Sequence, residues 1–300
     1  MEAVAAIPET AIHLVIEPTR KAFFPLLQAK EAEIESVERK TFQYGPTDRH
    51  QLDVYYPPEG SKPISGTVPI VFFEYGGGFV NGDRVLAPPY DLVYRNVGAF
   101  FAKQGFILVI ADYRLVPSVK FPQPPEDIPP EAVSSGSIKG DTSQIFVHGH
   151  SAGSNHTATM VLYPGLLPTD VLDRVRGLVL TGGAYQFSPS LRLDAVDRYY
   201  GTGPEAAEKA PRVLLENASD ELLARLPEVF MLMSEREPEA IAQGNEIFHR
   251  ILSKRLGKDV KLSVMKGHNH VSPHLALMTG QGDAWGYEVA GWIREQFASK

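Results

Sequence analysis

Six short apolar runs, separated by segments of helical spacing, constrain most strongly what this chain can fold into. They are VPIVFFEY (68–75), GFILVIADY (105–113), SQIFVHGH (143–150), RGLVLTG (176–182), EVFMLMS (228–234) and VKLSVMKG (260–267). Each is rich in β-branched or aromatic residues and is bounded by Gly, Pro or Asp, which reads as a strand; the intervening helical patterns make repeated βα units and a mostly parallel α/β sheet. Near-continuous hydrophobicity fits strands covered on both faces. Upstream, VERKTFQYG and HQLDVYYP alternate apolar and polar residues around a turn at Gly45–Arg49, so an antiparallel hairpin is expected at the sheet edge. In the last segment Trp285, Val289, Trp292, Ile293 and Phe297 fall on one helical stripe, predicting a closing helix. Residues 1–35 and 187–226 lie outside this alternation and are candidate cap segments of a single domain spanning 1–300.

The absence of cysteine from the 300 residues excludes a disulfide framework, a thiolate nucleophile and a Cys-ligated zinc site. A net charge of −7, without any cluster of Lys and Arg, argues against a nucleic-acid partner. The longest apolar string, FILVIA at 106–111, is far shorter than the roughly 20 residues a membrane span needs. Pro8 and Glu9 interrupt the N-terminal apolar stretch, and no basic leader precedes it, so a cytoplasmic location is expected.

The residues with the clearest chemistry are Gly149-His150-Ser151-Ala152-Gly153, which follow the run SQIFVHGH and open a helical segment. Strand, G-x-S-x-G and helix in that order form a nucleophile elbow, whose tight turn needs small neighbours and lifts the Ser151 hydroxyl clear of the sheet. A serine acting on a carbonyl needs hydrogen-bond donors for the developing oxyanion. Tyr75-Gly76-Gly77-Gly78-Phe79 leaves the first parallel strand where such a loop belongs, so the amides of Gly77 and Gly78, with that of Ala152, are the candidate donors. No Gly-Lys-Ser/Thr follows these glycines, which weakens a phosphate-cradle reading. The serine also needs a base and a carboxylate to orient it, in the chain order Ser, acid, His. From the residues alone the base is His268, His270 or His274, and the acid is Glu235, Glu237 or Glu239. HNHVSPH also resembles a metal-binding string, but it sits in a Pro-containing loop without a clear carboxylate partner, and no metal is expected.

YGGGF, ADYRLVP (111–117), GHSAG and GHNHVSP (267–273) occur in the order found in the hormone-sensitive-lipase-like branch of the α/β-hydrolases, which the chain resembles over about residues 50–298. LDVYYP (52–57) is also similar to feruloyl-esterase and kynurenine-formamidase relatives of that branch. The resemblance implies an eight-stranded sheet, a helical cap, no cofactor and carboxylesterase-type activity on a small ester-like molecule. Residue by residue, it places the base at His270, just before Val271, and the acid at Glu237, just before Pro238, which is expected at the first position of the next helix. Three features depart from the pattern. Tyr75 stands where relatives usually carry histidine; the acid is Glu rather than the commoner Asp; and the segment between ADYRLVP and SQIFVHGH, with PQPPEDIPP at 122–130, is about ten residues short for the family. The same machinery also suits an aryl-formamide or lactone hydrolase, or a biosynthetic acid–base enzyme. Tyr75 and the short segment leave open a non-catalytic binding protein built on a hydrolase scaffold.

Overall fold

The computed structural model describes residues 1–61, 66–127, 140–187 and 194–298. Eight strands form one sheet: β1 (Arg39–Gln43), β2 (Gln51–Tyr55), β3 (Pro69–Glu74), β4 (Ile107–Ala111), β5 (Asp141–His150), β6 (Val175–Thr181), β7 (Glu228–Arg236) and β8 (Lys261–Asn269). Their order across the sheet is β1-β2-β4-β3-β5-β6-β7-β8. β1 and β2 pair antiparallel, β2 pairs antiparallel with β4, and every pairing from β4 to β8 is parallel. All six apolar runs and the edge hairpin therefore became strands, with their ends moved by one or two residues.

The strands sort their side chains between two cores by the period of two that a pleated strand imposes. Val71 and Phe73 of β3, Leu108 and Ile110 of β4, and Phe230 and Leu232 of β7 join one core. Helices Arg95–Lys103 and Ala284–Ala298 cover it, contributing Phe100, Phe101, Trp285, Val289, Trp292, Ile293 and Phe297, which includes the whole stripe read from the sequence. Ile70, Phe72, Ile107, Val109, Val229 and Met231 face the opposite core, which helices Ala152–Leu162 and Glu239–Leu256 close with Ala158, Met160, Phe248 and Leu252. Two-sided burial explains why the central strands have no polar alternation. β8, at the sheet edge, is the exception, and Val264 remains 41% exposed.

Helix Ile12–Gln28 buries Val15, Thr19, Phe23 and Leu27 at helical spacing and packs on the short helix Ser272–Ala276 that follows β8. The Arg236 guanidinium donates to the carbonyls of Val4 and Ile7, fastening the first residues to the end of β7. In the other segment outside the sheet, the described helices are Asp194–Tyr200, Pro204–Glu208, Pro211–Asn217 and Asp220–Ala224. Residues 188–193 of that segment, and residues 128–139 at the end of the proline-rich stretch and beyond it, lie outside the described residues. Before residue 128 that stretch forms only the brief helix Gln123–Glu126, as prolines dictate. No described helix is long and apolar enough to cross a membrane.

Candidate active site

Ser151 lies between the last residue of β5 and the first turn of helix Ala152–Leu162, with φ 54° and ψ −118°. A non-glycine residue there is strained by about 1–3 kcal/mol, so the surroundings must enforce it. The Ser151 amide donates to the Thr181 carbonyl at 2.9 Å, fixing the bend against β6. Both flanking glycines are required by space. A Cβ on Gly149 would lie 2.6 Å from the Gly153 carbonyl oxygen, and one on Gly153 would lie 2.0 Å from the Glu74 carbonyl oxygen, both inside any real contact distance. The G-x-S-x-G pattern thus follows from how closely the elbow packs on itself and on β3.

His270 leaves the end of β8, and its Nε2 lies 2.9 Å from Ser151 Oγ. Its Nδ1 lies 2.6 Å from Glu237 Oε2, while Glu237 Oε1 accepts from the Ser234 amide at 3.2 Å. A carboxylate oxygen only accepts, so the imidazole proton sits on Nδ1 and Nε2 is free to accept from the serine hydroxyl. The His270 and Glu237 side chains are 3% and 1% exposed, which shields their hydrogen bonds from water.

The loop carrying His270 is braced from several sides. Asn269 Oδ1 accepts from the amides of Val271 and Ser272 at 3.1 and 3.0 Å, and its Nδ2 donates to Thr19 Oγ1 at 2.8 Å. The His270 carbonyl accepts from His150 Nε2 at 2.9 Å. The other candidates do different work. His268 donates from Nε2 to the Gly282 carbonyl and accepts at Nδ1 from Ser272 Oγ, and burial lowers its pKa to about 4. His274 stacks on Tyr94 and is likewise held neutral by burial, at about 3. Glu235 pairs with Lys266 and accepts from the Gly267 amide at the surface. Glu239 is the first residue of its helix and bonds Gln243. Pro238 is the N-cap of that helix, one position earlier than expected, and its carbonyl accepts from Ile241 and Ala242.

The glycine loop packs directly against the elbow, since a Cβ on Gly76 would come within 2.8 Å of Ser151 Cβ. Among the described residues the amides of Gly77, Gly78 and Ala152 donate to no protein oxygen. Phe79, Val116, Ala152, Tyr199 and Tyr200 form a small apolar cluster beside Ser151, in which Phe79 stacks on Tyr199 with centroids 4.5 Å apart. Of the other aromatic residues outside the strands, Phe23 and Tyr185 are core: Tyr185 stacks on Phe248 and shares a 2.7 Å hydrogen bond with Ser154 Oγ. No group of three or more His, Asp or Glu side chains among the described residues is arranged to hold a metal ion.

The fold superposes on solved proteins over nearly the whole chain. An esterase of Pyrobaculum calidifontis superposes with a TM-score of 0.68, covering 99% of this chain and 98% of its own at 21% identity. One of two fungal esterases of Rhizomucor miehei gives 0.67, covering 98% and 93% at 20% identity. The chain has the α/β-hydrolase fold. Within it, the BD-FAE family model matches residues 52–171, the stretch that holds the glycine loop and the elbow of the α/β-hydrolase core. Curated relatives match over a smaller part of the chain. The rice (Oryza sativa subsp. japonica) protein named "Probable isoprenylcysteine alpha-carbonyl methylesterase" is 23% identical over 77% of this chain. A Phoma protein named "Probable carboxylesterase M8" is 26% identical over 58% of it. The chain spans 58% and 57% of the lengths of these two relatives.

Sequence reading missed the residues that hold the site rather than form it: Thr19, Asn269, His150 and the polar group around Tyr75. Asn269 stood inside the recognised GHNHVSP string, but its partner lies 250 residues away. Only the substitution at Tyr75 gave a signal that a different bracing network was needed.

Proposed function

We propose that this chain is a serine hydrolase of small carboxylic esters, in one domain whose helices from the segments 1–35 and 187–226 flank the site. The carrying observation is the unbroken hydrogen-bonded line from Ser151 Oγ through His270 to Glu237. In this reading His270 Nε2 takes the Ser151 proton as Oγ bonds to the carbonyl carbon, and the carbonyl electron pair moves onto oxygen. Gly77, Gly78 and Ala152 donate to that oxyanion, and the Ala152 helix N-terminus favours its charge. Collapse breaks the carbon–oxygen bond to the leaving alcohol, which takes the proton from His270. Water then repeats the cycle on the acyl-enzyme, releasing the carboxylic acid and returning the proton to Ser151.

Glu237 holds the imidazole in the tautomer this exchange needs and offsets the charge it gains. The names of the relatives and of the superposed structures favour an ester over an amide. The apolar cluster of Phe79, Tyr199 and Tyr200 beside Ala152 favours a small acyl group. Turnover of p-nitrophenyl acetate and butyrate by the wild type, with loss of about a thousand-fold or more in Ser151→Ala, is expected. Equal rates in the two proteins would instead identify a binding protein on a hydrolase scaffold.

A further inference from the structure

The loop that carries Gly77 and Gly78 is closed at its neck by a single carboxylate. The Tyr75 hydroxyl, at the start of the loop, donates to Asp112 Oδ1 at 2.8 Å, and the Arg84 amide, at its end, donates to the same oxygen at 2.5 Å. The Arg84 guanidinium holds Asp112 Oδ2 and also donates to Gln51 Oε1 at 2.6 Å. From the β1–β2 turn, Arg49 reaches the loop with two nitrogens and the chain after β4 with a third. Nη2 donates to the Tyr75 hydroxyl oxygen and to the Gly82 carbonyl, both at 2.9 Å; Nη1 donates to Asp83 Oδ1 at 2.9 Å; Nε donates to the Tyr113 carbonyl at 2.8 Å. Tyr113 completes the ring of contacts, stacking on Tyr75 with centroids 4.9 Å apart and donating its hydroxyl to the Tyr75 carbonyl at 2.8 Å.

We infer that Tyr75, Asp112 and Arg49 are positioning residues that aim the Gly77 and Gly78 amides at the oxyanion; this rests on the serine-hydrolase reading above. A loop of glycines has no rigidity of its own, because nothing but its surroundings restricts φ and ψ. Donors stabilise a transition state only when they are already oriented before the charge develops. Inside the loop, the Asn81 amide donates to the Gly77 carbonyl at 3.0 Å. At its base Gly82 lies so close to the Tyr75 ring that a Cβ would approach it within 2.5 Å. Through its one oxygen the Tyr75 phenol both donates to Asp112 and accepts from Arg49, so it joins the sheet-edge hairpin, the end of β4 and the loop. Tyr75 is therefore the centre of the brace that holds the loop. None of these three side chains is required to touch the substrate.

The test is Tyr75→Phe, which removes both hydrogen bonds and keeps the ring. Active sites are counted from the p-nitrophenol burst, so that kcat is expressed per functional site. We expect kcat to fall by about ten- to a hundred-fold with KM within about twofold, and affinity for a trifluoromethyl ketone, which forms a tetrahedral adduct on the serine, to fall in parallel. A purely structural role would lower the burst or the thermal midpoint and leave both quantities per site unchanged; that result overturns the inference. Arg49→Met, on a side chain that is partly exposed, carries the same expectation if Tyr75→Phe does not fold. Wild-type turnover lost in Ser151→Ala but unchanged per site in Tyr75→Phe removes the positioning role alone, whereas full turnover in Ser151→Ala removes the hydrolase reading and this one with it.

Discussion

Glu74 ends β3 directly beneath the elbow, and replacing it with glutamine gives a sharp test of how the core treats a carboxyl group. It has no exposure, and neither carboxyl oxygen has a hydrogen-bond partner among the described residues. Burial, with Asp127 and Asp112 as like charges nearby, raises its pKa from an ordinary 4.5 to about 8. The folded chain therefore holds a proton on Glu74 in the range where the unfolded chain has lost it. Because the folded-state value lies above the unfolded one, this contribution reduces stability as pH rises from about 4.5 to about 8, and the full cost persists above that. The difference between the two values corresponds to a cost on the order of 5 kcal/mol, or about 1.4 kcal/mol for each pH unit in the window. Glu74→Gln has nearly the same shape and no ionisation. Urea unfolding of both proteins from pH 5 to 9 is expected to show the variant gaining on the wild type through the window, with a constant difference beyond about pH 8. A difference independent of pH would instead mean that Glu74 is ionised and partnered in the fold, the opposite of a buried, protonated carboxyl.

Other expectations concern the site. Glu237→Gln should lower kcat by about a hundred-fold or more in steady-state ester hydrolysis, whereas Glu235→Gln, at the surface beside Lys266, should stay within about twofold. Ser151→Gly should be more stable than Ser151→Ala by about 1 kcal/mol in denaturant titrations, because glycine relieves the positive φ, while both lack activity; equal stability would contradict the strain at the elbow. Gly153→Ala should cost about 3 kcal/mol or more, or prevent folding, as judged by thermal melting, since its Cβ meets the backbone of Glu74. Thr19→Val leaves Asn269 Nδ2 without its buried partner and should lower both the melting temperature and kcat, the latter by about two- to tenfold.

What the sequence made legible follows the range of the forces involved. The strands were readable because β-branched runs such as ILVIA and PIVFFE respond to burial on two faces, a property of each segment by itself. The elbow was readable because its glycines are excluded from carrying a Cβ by atoms a few residues away and by the adjoining β3. Sequence reading passed over Glu74 as one polar letter in an apolar run, although its burial makes it the costliest side chain in that strand. Choosing Glu237 over Glu235 depended on a family pattern; spacing alone could not tell which carboxyl would turn inward beneath His270 and which would meet Lys266. The brace of Arg49, Tyr75, Asp112 and Arg84, like the contact between Thr19 and Asn269, joins residues far apart in the chain. Such pairs leave no local signature, and only the assembled sheet brings them together.

Activation of the Ser151 nucleophile by His270 is the step on which the proposed hydrolase function rests. Folded protein treated with a fluorophosphonate and digested for peptide mass spectrometry should carry one adduct, on Ser151, with labelling slowed by about a hundred-fold or more in His270→Ala. An unlabelled Ser151 in folded wild type, or labelling at the same rate without His270, would contradict it.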